Sequence, residues 1–433
     1  MRRRGLALAA ALSWPALLPA AARADGGALT VEQAVETALR TNPRILAAEA
    51  GVRGGRDLER SATGRMLPSI RVTDESDHWD SAFAIPFGAS AFTVRDRDTN
   101  TFAATADQPL LGLLHLSHER SAQDRTADAG EARYVALRAE LKAAVEVGYL
   151  RLFEAKALED IARESEAELT EELQVTKARV DAGVLTNADL LRVRVAVASA
   201  KQQEIVAHTQ GAVARAHLLG AIGLPVDTPG IELAEPRTLL ARAGAPLPQT
   251  ADALKQAMAA RPELRERRLQ VQAADQQHAA RKLSMLPEVN AEAGYSHLDG
   301  QPFSPANAAF VGLKVQWPIW EWGASYYAQR AAGEQTAAAE HELDSQGGQI
   351  GVEVASDLAQ AQAATSAVGV AQETIASAEE AYRVTGALLK AGSATTTDLL
   401  DAHAALTQAR LSLTRAQYEQ AMAQSSLART LGR

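Results

Sequence analysis

The ten residues AGVLTNADLL at positions 182–191 return as AGSATTTDLL at positions 391–400, which is 209 positions further along the chain. Each copy places a glycine ahead of a threonine-bearing segment and an Asp-Leu-Leu triplet. Glycine favours the left-handed backbone of a chain reversal. The next helix can be capped by Thr186 or Asn187 in the first copy and by Thr395, Thr396 or Thr397 in the second. The sequence therefore predicts a helix, a tight turn and a second helix in each half of the chain.

The repeat extends outward from these two turns. Pro109 recurs as Pro318 at the same offset of 209, whereas the Met-Leu-Pro triplet at 66–68 recurs at 285–287 with an offset of 219. The first half therefore carries ten extra residues between Pro68 and Pro109. So many shared turn-forming residues indicate a duplicated chain. Its predicted parts are a first repeat at about 28–223, a linker at about 224–249 and a second repeat at about 250–433.

A single very long helix is predicted in the first half. No proline interrupts the chain from about Leu114 to Asp181, and apolar residues there recur three and four positions apart. At 1.5 Å per residue, roughly seventy residues extend on the order of 100 Å. Because so long a helix needs partners along its whole length, we expect side-by-side coiled-coil packing with helices supplied by the other repeat.

Two pairs of strands are predicted, one in each half. In the second half, apolar residues alternate with polar or small ones over 289–295 and 311–317, which is the period of a strand. The counterparts near 70–74 and 99–108 alternate less cleanly and rest on the repeat. The segments expected to be loops between the paired strands, rich in Pro, Gly, Ser, Asp and Asn, are 76–98 and 298–308.

The first 24 residues are predicted to be a signal peptide, with a basic start, a short apolar run and small residues before Asp25. Its removal leaves 40 basic against 53 acidic residues, which argues against a nucleic-acid partner. Nothing after Asp25 supplies eighteen consecutive apolar residues, so no transmembrane helix is expected, whereas alternating barrel strands give much weaker signals and stay open. The chain has no cysteine, and so no disulfide, thiolate metal site or thioether-linked lipid anchor.

Motifs for catalysis are weak. The nine histidines include no HExxH pair, and the glycine-rich segment 51–55 lacks the lysine of a phosphate-binding loop. We find no nucleophile elbow. The chain is therefore expected not to be an enzyme and to need no cofactor or metal.

The duplicated hairpins, strand pairs, Met-Leu-Pro triplets and Gly-to-Asp turns together resemble the TolC-like outer-membrane efflux family, over essentially the whole mature chain. The resemblance implies a mainly α fold with a small β part, in which long helical hairpins form a periplasmic α-barrel tunnel. It also implies a homotrimer in the outer membrane, where four strands from each chain complete a 12-stranded transmembrane β-barrel in contact with lipid. Such a trimer would work with a periplasmic adaptor protein and an inner-membrane pump.

Two alternatives stay open on the sequence alone. The same duct would equally serve a type I protein secretion system, because the inner-membrane pump chooses the substrate. An interpretation of a different class is a periplasmic coiled-coil adaptor without a pore, although adaptors of that kind carry one hairpin rather than two. Drug, metal and protein substrates are not separated by the sequence of the tube.

By resemblance, the two turns form the periplasmic tips that narrow the tunnel and dock the adaptor. The tip residues are Gly183, Leu185, Thr186, Gly392 and Thr395, and the pore-constriction residues are Asp398, Asp401 and Asp189. Six carboxylates from Asp398 and Asp401 of three chains would raise one another's proton affinity and attract cations. The alternative is plain capping and solvated helix surface, since a carboxylate is favoured in the first turn of any helix.

The first-half counterpart of Asp401 is Arg192, so duplication alone does not account for Asp401. The tyrosine and arginine that partner Asp189 in the family latch are here Leu389 and Ala394. We therefore expect closure by the carboxylate ring with apolar neighbours, Leu185 or Leu389, in place of that latch.

Three tryptophans, Trp317, Trp320 and Trp322, lie where the last strand gives way to a helix. They are predicted to form an aromatic girdle at the inner membrane-water boundary. Ordinary packing of an aromatic strand end against a helix is the alternative.

Overall fold

The computed structural model describes residues 28–228 and 231–433. The predicted signal peptide lies outside these residues. The described chain is mainly helical, with a small strand part. Within it, no helix has both the length and the apolar character that a bilayer crossing requires.

Helices and long strands follow one another in the same order in both halves, and the first half has the short strands β2 and β3 in addition. The first half contains α1 (Val31–Thr41), α2 (Pro43–Gly64), β1 (Ser69–His78), β2 (Phe83–Phe87), β3 (Ser90–Arg95), β4 (Asp98–Pro109), α3 (Gly112–Asp181) and α4 (Asn187–Ile222). The segment between the halves contains α5 (Arg237–Ala243), and the second half contains α6 (Thr250–Ala260), α7 (Pro262–Leu283), β5 (Glu288–Asp299), β6 (Asn307–Gln316), α8 (Ala324–Lys390) and α9 (Thr396–Thr430). The long helix predicted from about Leu114 begins at Gly112 and ends at Asp181 as expected.

Two features differ from the sequence prediction. Each half has two helices before its strands, not one. α2 begins at Pro43 and α7 at Pro262, each directly after the preceding helix and without an intervening loop. α2 buries only Ile45 and Ala62, so it shows no apolar stripe that would reveal a helix. The predicted loop 76–98 is also wrong in part, since it contains the β2–β3 hairpin. The alternation of Phe83, Ile85 and Phe87 is short, and Pro86 within it favours a loop over a strand.

The four long strands form one antiparallel sheet in the order β1-β4-β5-β6. β4 and β5 come from different halves and pair over ten residues, from Asn100 opposite Asp299 to Pro109 opposite Asn290. The duplicated strand pairs are thus joined into a single sheet. Its two edges, β1 and β6, have no strand neighbour among the described residues.

The long helices find partners in both halves. α3 packs against α4 in its own half and against α7 and α9 of the second half, and α8 packs against α9 and α7. The 70-residue α3 is therefore flanked along its length by shorter helices, which supply the side-by-side contacts expected from the sequence.

The largest apolar cluster lies where α1 crosses α3 and α4. Tyr149 of α3 is fully buried there, and its hydroxyl lies 2.7 Å from the carbonyl oxygen of Leu29 and 2.5 Å from that of Ala234. Burial raises the pKa of Tyr149 to about 12, so the hydroxyl stays protonated and able to donate. Leu29 also bonds to the segment after α4 through the Glu232 carbonyl oxygen, at 2.8 Å. One buried tyrosine therefore holds the segment before α1 and the linker against α3.

Two glycines allow the ends of the shorter hairpin helices to touch the helix junctions. Gly223 ends α4 with φ +85°, and a Cβ placed there would lie 2.9 Å from the Cα of Asn42, between α1 and α2. Gly432 follows α9 with φ +78°, and a Cβ there would lie 2.8 Å from the Cβ of Ala260, the last residue of α6. The two glycines are themselves 209 positions apart.

We expect Gly223→Ala to lower the unfolding temperature of the detergent-solubilised protein. The added Cβ meets both a left-handed backbone and a contact shorter than van der Waals distance, a cost of about 1–3 kcal/mol. Gly220→Ala is the matched control, because Gly220 is helical and a Cβ added there would have nothing within 4 Å. Its melting temperature should stay the same or rise slightly. Equal melting temperatures for the two variants would contradict the close approach.

Candidate functional site

Each long hairpin ends in the same hydrogen-bonded turn. Gly183 has φ +74°, its N–H donates to the carbonyl oxygen of Val180 at 2.9 Å, and the N–H of Val184 donates to that of Arg179 at 2.9 Å. Gly392 has φ +77°, with matching bonds from Gly392 and Ser393. These pairs of bonds satisfy the last carbonyl oxygens of the helix. The left-handed backbone conformation at the turn favours glycine at this position. The two glycines thus serve the chain reversal that the sequence predicts.

A threonine then caps the next helix in both copies. The N–H of Asp189 donates to the hydroxyl of Thr186 at 3.3 Å, and the N–H of Thr186 donates to the Asp189 carboxylate at 3.1 Å. The second copy is tighter, with 2.8 Å from the N–H of Thr395 to the Asp398 carboxylate. These reciprocal pairs of hydrogen bonds are capping boxes, and they fix the residues at which α4 and α9 begin.

Capping lowers the pKa of both Asp189 and Asp398. The backbone N–H of Thr395, followed by its hydroxyl, holds the pKa of Asp398 below its ordinary value. The hydroxyl and backbone N–H of Thr186 do the same for the pKa of Asp189, with Arg192 contributing. Within one chain both groups are therefore held as carboxylates. The raised proton affinity expected of a six-carboxylate ring requires neighbouring chains, and it stays a prediction.

The two turns differ in their charge. Asp189 pairs with Arg192 one helical turn later, at 3.3 Å. Asp398 is followed at the same spacing by Asp401, and among the described residues neither has a cation within salt-bridge distance. Both Asp398 and Asp401 are exposed. Asp398 and Asp401 are therefore two accessible negative charges without an ion-pair partner among the described residues, whereas Asp189 is neutralised by Arg192.

Leu389 and Ala394, which stand in place of the family latch, are apolar and half-buried, and so is their apolar neighbour Leu185. Leu185 lies in the first turn, and Leu389 and Ala394 lie in the second, where the carbonyl oxygen of Leu389 accepts the N–H of Gly392. Closure through Leu185 or Leu389 stays a prediction.

The sheet has one apolar face over the half of its length nearest the helices. Register places Ile70, Ala106, Ala293 and Val311 in one row and Val72, Ala104, Tyr295 and Ala309 in the next. Leu313 and Val315 continue this face on β6 toward the helices, and Val311 is 88% exposed. We call this set the apolar face of the sheet.

Alternate residues form the opposite, polar face. Its members include Arg71, Thr73, Thr101, Thr105, Asp107, Asn290, Glu292, Ser296, Lys314 and Gln316. Lys314 and Glu292 make an ion pair across β5 and β6 at 3.4 Å. An apolar face and a polar face on one sheet are the pattern of a wall between lipid and water.

Toward the end of the sheet farthest from the helices, the apolar face becomes polar. Asp74 accepts from the Asn100 amide at 2.8 Å, the His78 ring nitrogen lies 2.6 Å from the Asp98 carboxylate, and His297 lies 2.9 Å from Asn307. This polar rim was not predicted from the sequence, because it appears only when the strand register brings these side chains into adjacent rows. The apolar face is thus bounded at that end.

At the other end of the apolar face lie the three tryptophans. Trp317 continues the alternation of Val311, Leu313 and Val315, and Trp320 and Trp322 meet edge to face with ring centroids 5.6 Å apart. All three are exposed, and Trp322 adopts φ +53°, which turns the chain toward α8. The girdle stays a prediction supported by this placement.

A buried histidine near the tips was also not predicted from the sequence. His403 of α9 lies 2.8 Å from the carboxylate of Glu168 on α3, next to a cavity of about 150 Å³ between α3, α4 and α9. A single histidine without a motif gives no signal in a sequence. His118 likewise meets Gln276 at 2.8 Å, a contact between α3 and α7.

Comparison with known proteins identifies the family. A family model described as outer membrane efflux protein matches residues 34–224 and 253–433. The outer membrane efflux protein BepC of Brucella suis is 25% identical over 289 residues. That alignment covers 66% of this chain and 61% of BepC, so it spans less than two thirds of the relative's length.

Solved structures of outer-membrane channels have the same fold. One is CusC, whose structures concern conformational changes that accompany folding and transmembrane channel formation. It superposes with a TM-score of 0.80 at 18% identity, covering 93% of this chain and 92% of CusC. The open-state MtrE outer membrane channel of Neisseria gonorrhoeae gives 0.78 at 19% identity, covering 93% and 88%. The CmeC outer membrane channel of Campylobacter jejuni gives 0.79 at 13% identity, covering 93% and 85%.

These findings confirm the resemblance drawn from the sequence. The chain belongs to the outer membrane efflux protein family and has the fold of its outer-membrane channels.

Proposed function

We propose that three copies of this chain form one channel through the outer membrane, which serves a tripartite efflux system. Substrates would arrive from an inner-membrane pump through a periplasmic adaptor. The observation that carries the proposal is the sheet, which is apolar on one face, polar on the other, and open at both edges.

Open edges explain why one chain alone cannot form the barrel. The outer backbone N–H and C=O groups of β1 and β6 have no strand partner among the described residues. Each unsatisfied group in hydrocarbon costs several kcal/mol, so a spanning sheet must close on itself. Pairing β6 of one chain with β1 of the next satisfies these groups. Three chains with four strands each then close a barrel of twelve strands.

Such a barrel has room for a water-filled channel. Twelve strands about 4.8 Å apart and tilted by about 40° give a backbone diameter of about 24 Å. The apolar face then meets lipid and the polar face lines the lumen. The helices leave the sheet on one side only, where 70 residues of α3 extend on the order of 100 Å into the periplasm.

The tips at the far end of the helices support a constriction. Asp398 and Asp401 are exposed and lack a local cation among the described residues, so three chains would bring six carboxylates to the throat. The adaptor is proposed to dock at these same tips, where the chain presents its two matched turns.

We expect the mature protein to migrate as a heat-modifiable trimer and to conduct ions in a planar bilayer. Val311→Lys places a charge on the apolar face and should reduce trimer yield, at a cost of about 2–4 kcal/mol near the middle of the membrane. Thr105→Lys is the matched control, since Thr105 lies at a similar height on the polar face. It should leave the trimer intact.

A soluble monomer without conductance would contradict the channel. Equal loss of trimer in both lysine variants would contradict the assignment of the two faces.

We expect the double variant Asp398→Asn and Asp401→Asn to lose cation selectivity and block by multivalent cations. Asparagine still accepts the Thr395 N–H, so the helix start is kept while the charge is removed. Single-channel recordings with and without a trivalent cation measure the effect. Asp252→Asn, on the exposed side of α6, is the control and should behave like the parent protein. Unchanged selectivity in the double variant would exclude the carboxylate ring.

We expect the three tryptophans to report contact with lipid. Trp79→Phe leaves Trp317, Trp320 and Trp322 as the tryptophans of the mature chain. Their fluorescence in vesicles should be quenched strongly by lipids brominated near the headgroup and less by lipids brominated near the chain ends, because girdle residues lie at the interface. Emission insensitive to brominated lipid would instead support packing against the protein.

A further inference from the structure

The β2–β3 hairpin is an exposed apolar element at the end of the sheet opposite the helices. From Ser81 to Val94 it contains no charged residue, although 22% of the whole chain is charged. Its large apolar side chains lie in the open, with Phe87 75% exposed. In water such a patch is unfavourable, so it should be covered in the assembled protein.

The apolar side chains lie on one face of this hairpin. Ile85 is paired opposite Phe92, and Phe83 and Phe87 lie two residues to either side of Ile85 on the same strand. The rings of Phe87 and Phe92 meet edge to face with centroids 6.0 Å apart. The other face carries small or polar residues, Ala84 opposite Thr93 and Pro86 opposite Ala91. We call the first set the aromatic face of the hairpin.

The base of the hairpin is fixed on the lumen side of the sheet. The indole N–H of Trp79, which follows β1, donates to the hydroxyl of Thr99 at 3.1 Å. Thr99 alternates with Asn100 and belongs to the polar face, which lines the lumen in the proposed channel. The Arg95 guanidinium stacks on the Trp79 ring at 3.7 Å and covers this contact. The hairpin is therefore drawn inward and not toward lipid.

A second contact holds the hairpin toward the loop between β5 and β6. The N–H of Asp96 donates to the carbonyl oxygen of Gly300 at 2.8 Å, and the rings of Phe92 and Phe303 lie 6.5 Å apart. Gly300 has φ +78°, and a Cβ there would lie 2.2 Å from the carbonyl oxygen of Asp98. The loop thus approaches the start of β4, just after the hairpin, too closely for any residue but glycine at this position.

The hairpin is long enough to reach the axis of the channel. The wall of a twelve-stranded barrel lies about 12 Å from its axis. Five residues of extended strand from Phe83 to Phe87 span roughly 13–17 Å. Three hairpins, one from each chain, would therefore meet.

We propose that the aromatic faces of three β2–β3 hairpins pack against one another over the lumen and form an apolar constriction at the outer end of the channel. The occupant of each exposed face is thus a second copy of the same hairpin, and the absence of charge lets identical faces meet without repulsion. This inference rests on the proposed trimeric channel. It gives the tube a narrow point at the end opposite to the Asp398 tips.

The polar rim argues against insertion into lipid as the alternative. Asp74, His78, Asp98 and Asn100 occupy the apolar-face side of the wall directly below the hairpin. A hairpin folded outward would have to cross these polar side chains and break the contact of Trp79 with Thr99.

The absence of native cysteine allows a direct test. We expect Phe87→Cys, oxidised in the intact trimer in membranes, to give disulfide-linked dimers, since one bond joins two of the three chains. Ala84→Cys, on the opposite face of the same hairpin, is the matched control and should not cross-link. In planar bilayers, the double variant Ile85→Ser and Phe87→Ser should conduct more than the parent protein, because the constriction is lost.

The outcomes separate this inference from the proposed function. A conducting trimer in which Phe87→Cys does not cross-link, or cross-links no more than Ala84→Cys, would overturn the constriction alone. Labelling of Phe87→Cys by a maleimide confined to the lipid phase would overturn it in favour of membrane insertion. A parent protein that neither trimerises nor conducts would overturn both proposals together.

Discussion

The unpaired edges of the four-stranded sheet are the constraint on which the rest of the proposed assembly depends. A sheet with an apolar face on one side and a polar face on the other can separate lipid from water, but only if its edge hydrogen bonds are made. β1 and β6 supply complementary edges at the two ends of the chain's sheet. In the proposed trimer, closure with two other copies then sets the diameter of the lumen and turns the polar face inward.

The two halves of the chain supply matching long helical hairpins next to the sheet. Differences between the halves make the molecule asymmetric. The junction before each 22-residue helix shows this well. Asn42 uses its amide to bond the Ala221 carbonyl oxygen, whereas the corresponding Arg261 is buried and pairs with Glu263 at 2.8 Å and with Glu353. At the tips, Arg192 neutralises Asp189, whereas Asp401 adds to the charge of Asp398. At the far end, within the described residues, only the first half carries the β2–β3 hairpin.

The copies therefore share what the fold requires and differ where the channel meets its surroundings. Gly223 and Gly432 are kept because both helix ends approach a junction too closely for a side chain. The tip glycines are kept because both turns need a left-handed residue. The loops at the far end of the sheet, and the position occupied by Arg192 in one copy and Asp401 in the other, are not constrained in this way. They are free to acquire apolar or charged character.

The sequence by itself determined the features that depend on neighbouring residues and on the repeat. The bounds of α3, the two glycine turns and the alternation of β5 and β6 follow from local backbone preference and side-chain period, so the sequence alone predicts them. It also predicts a cap after each turn, whereas the structure selects Thr186 and Thr395 as the capping residues. The tertiary structure alone decided what depends on distant contacts. The register that sorts the strands into two faces, the bond of Trp79 to Thr99 and the contact of His403 with Glu168 join residues 20 to 235 positions apart, and no local pattern encodes such a meeting.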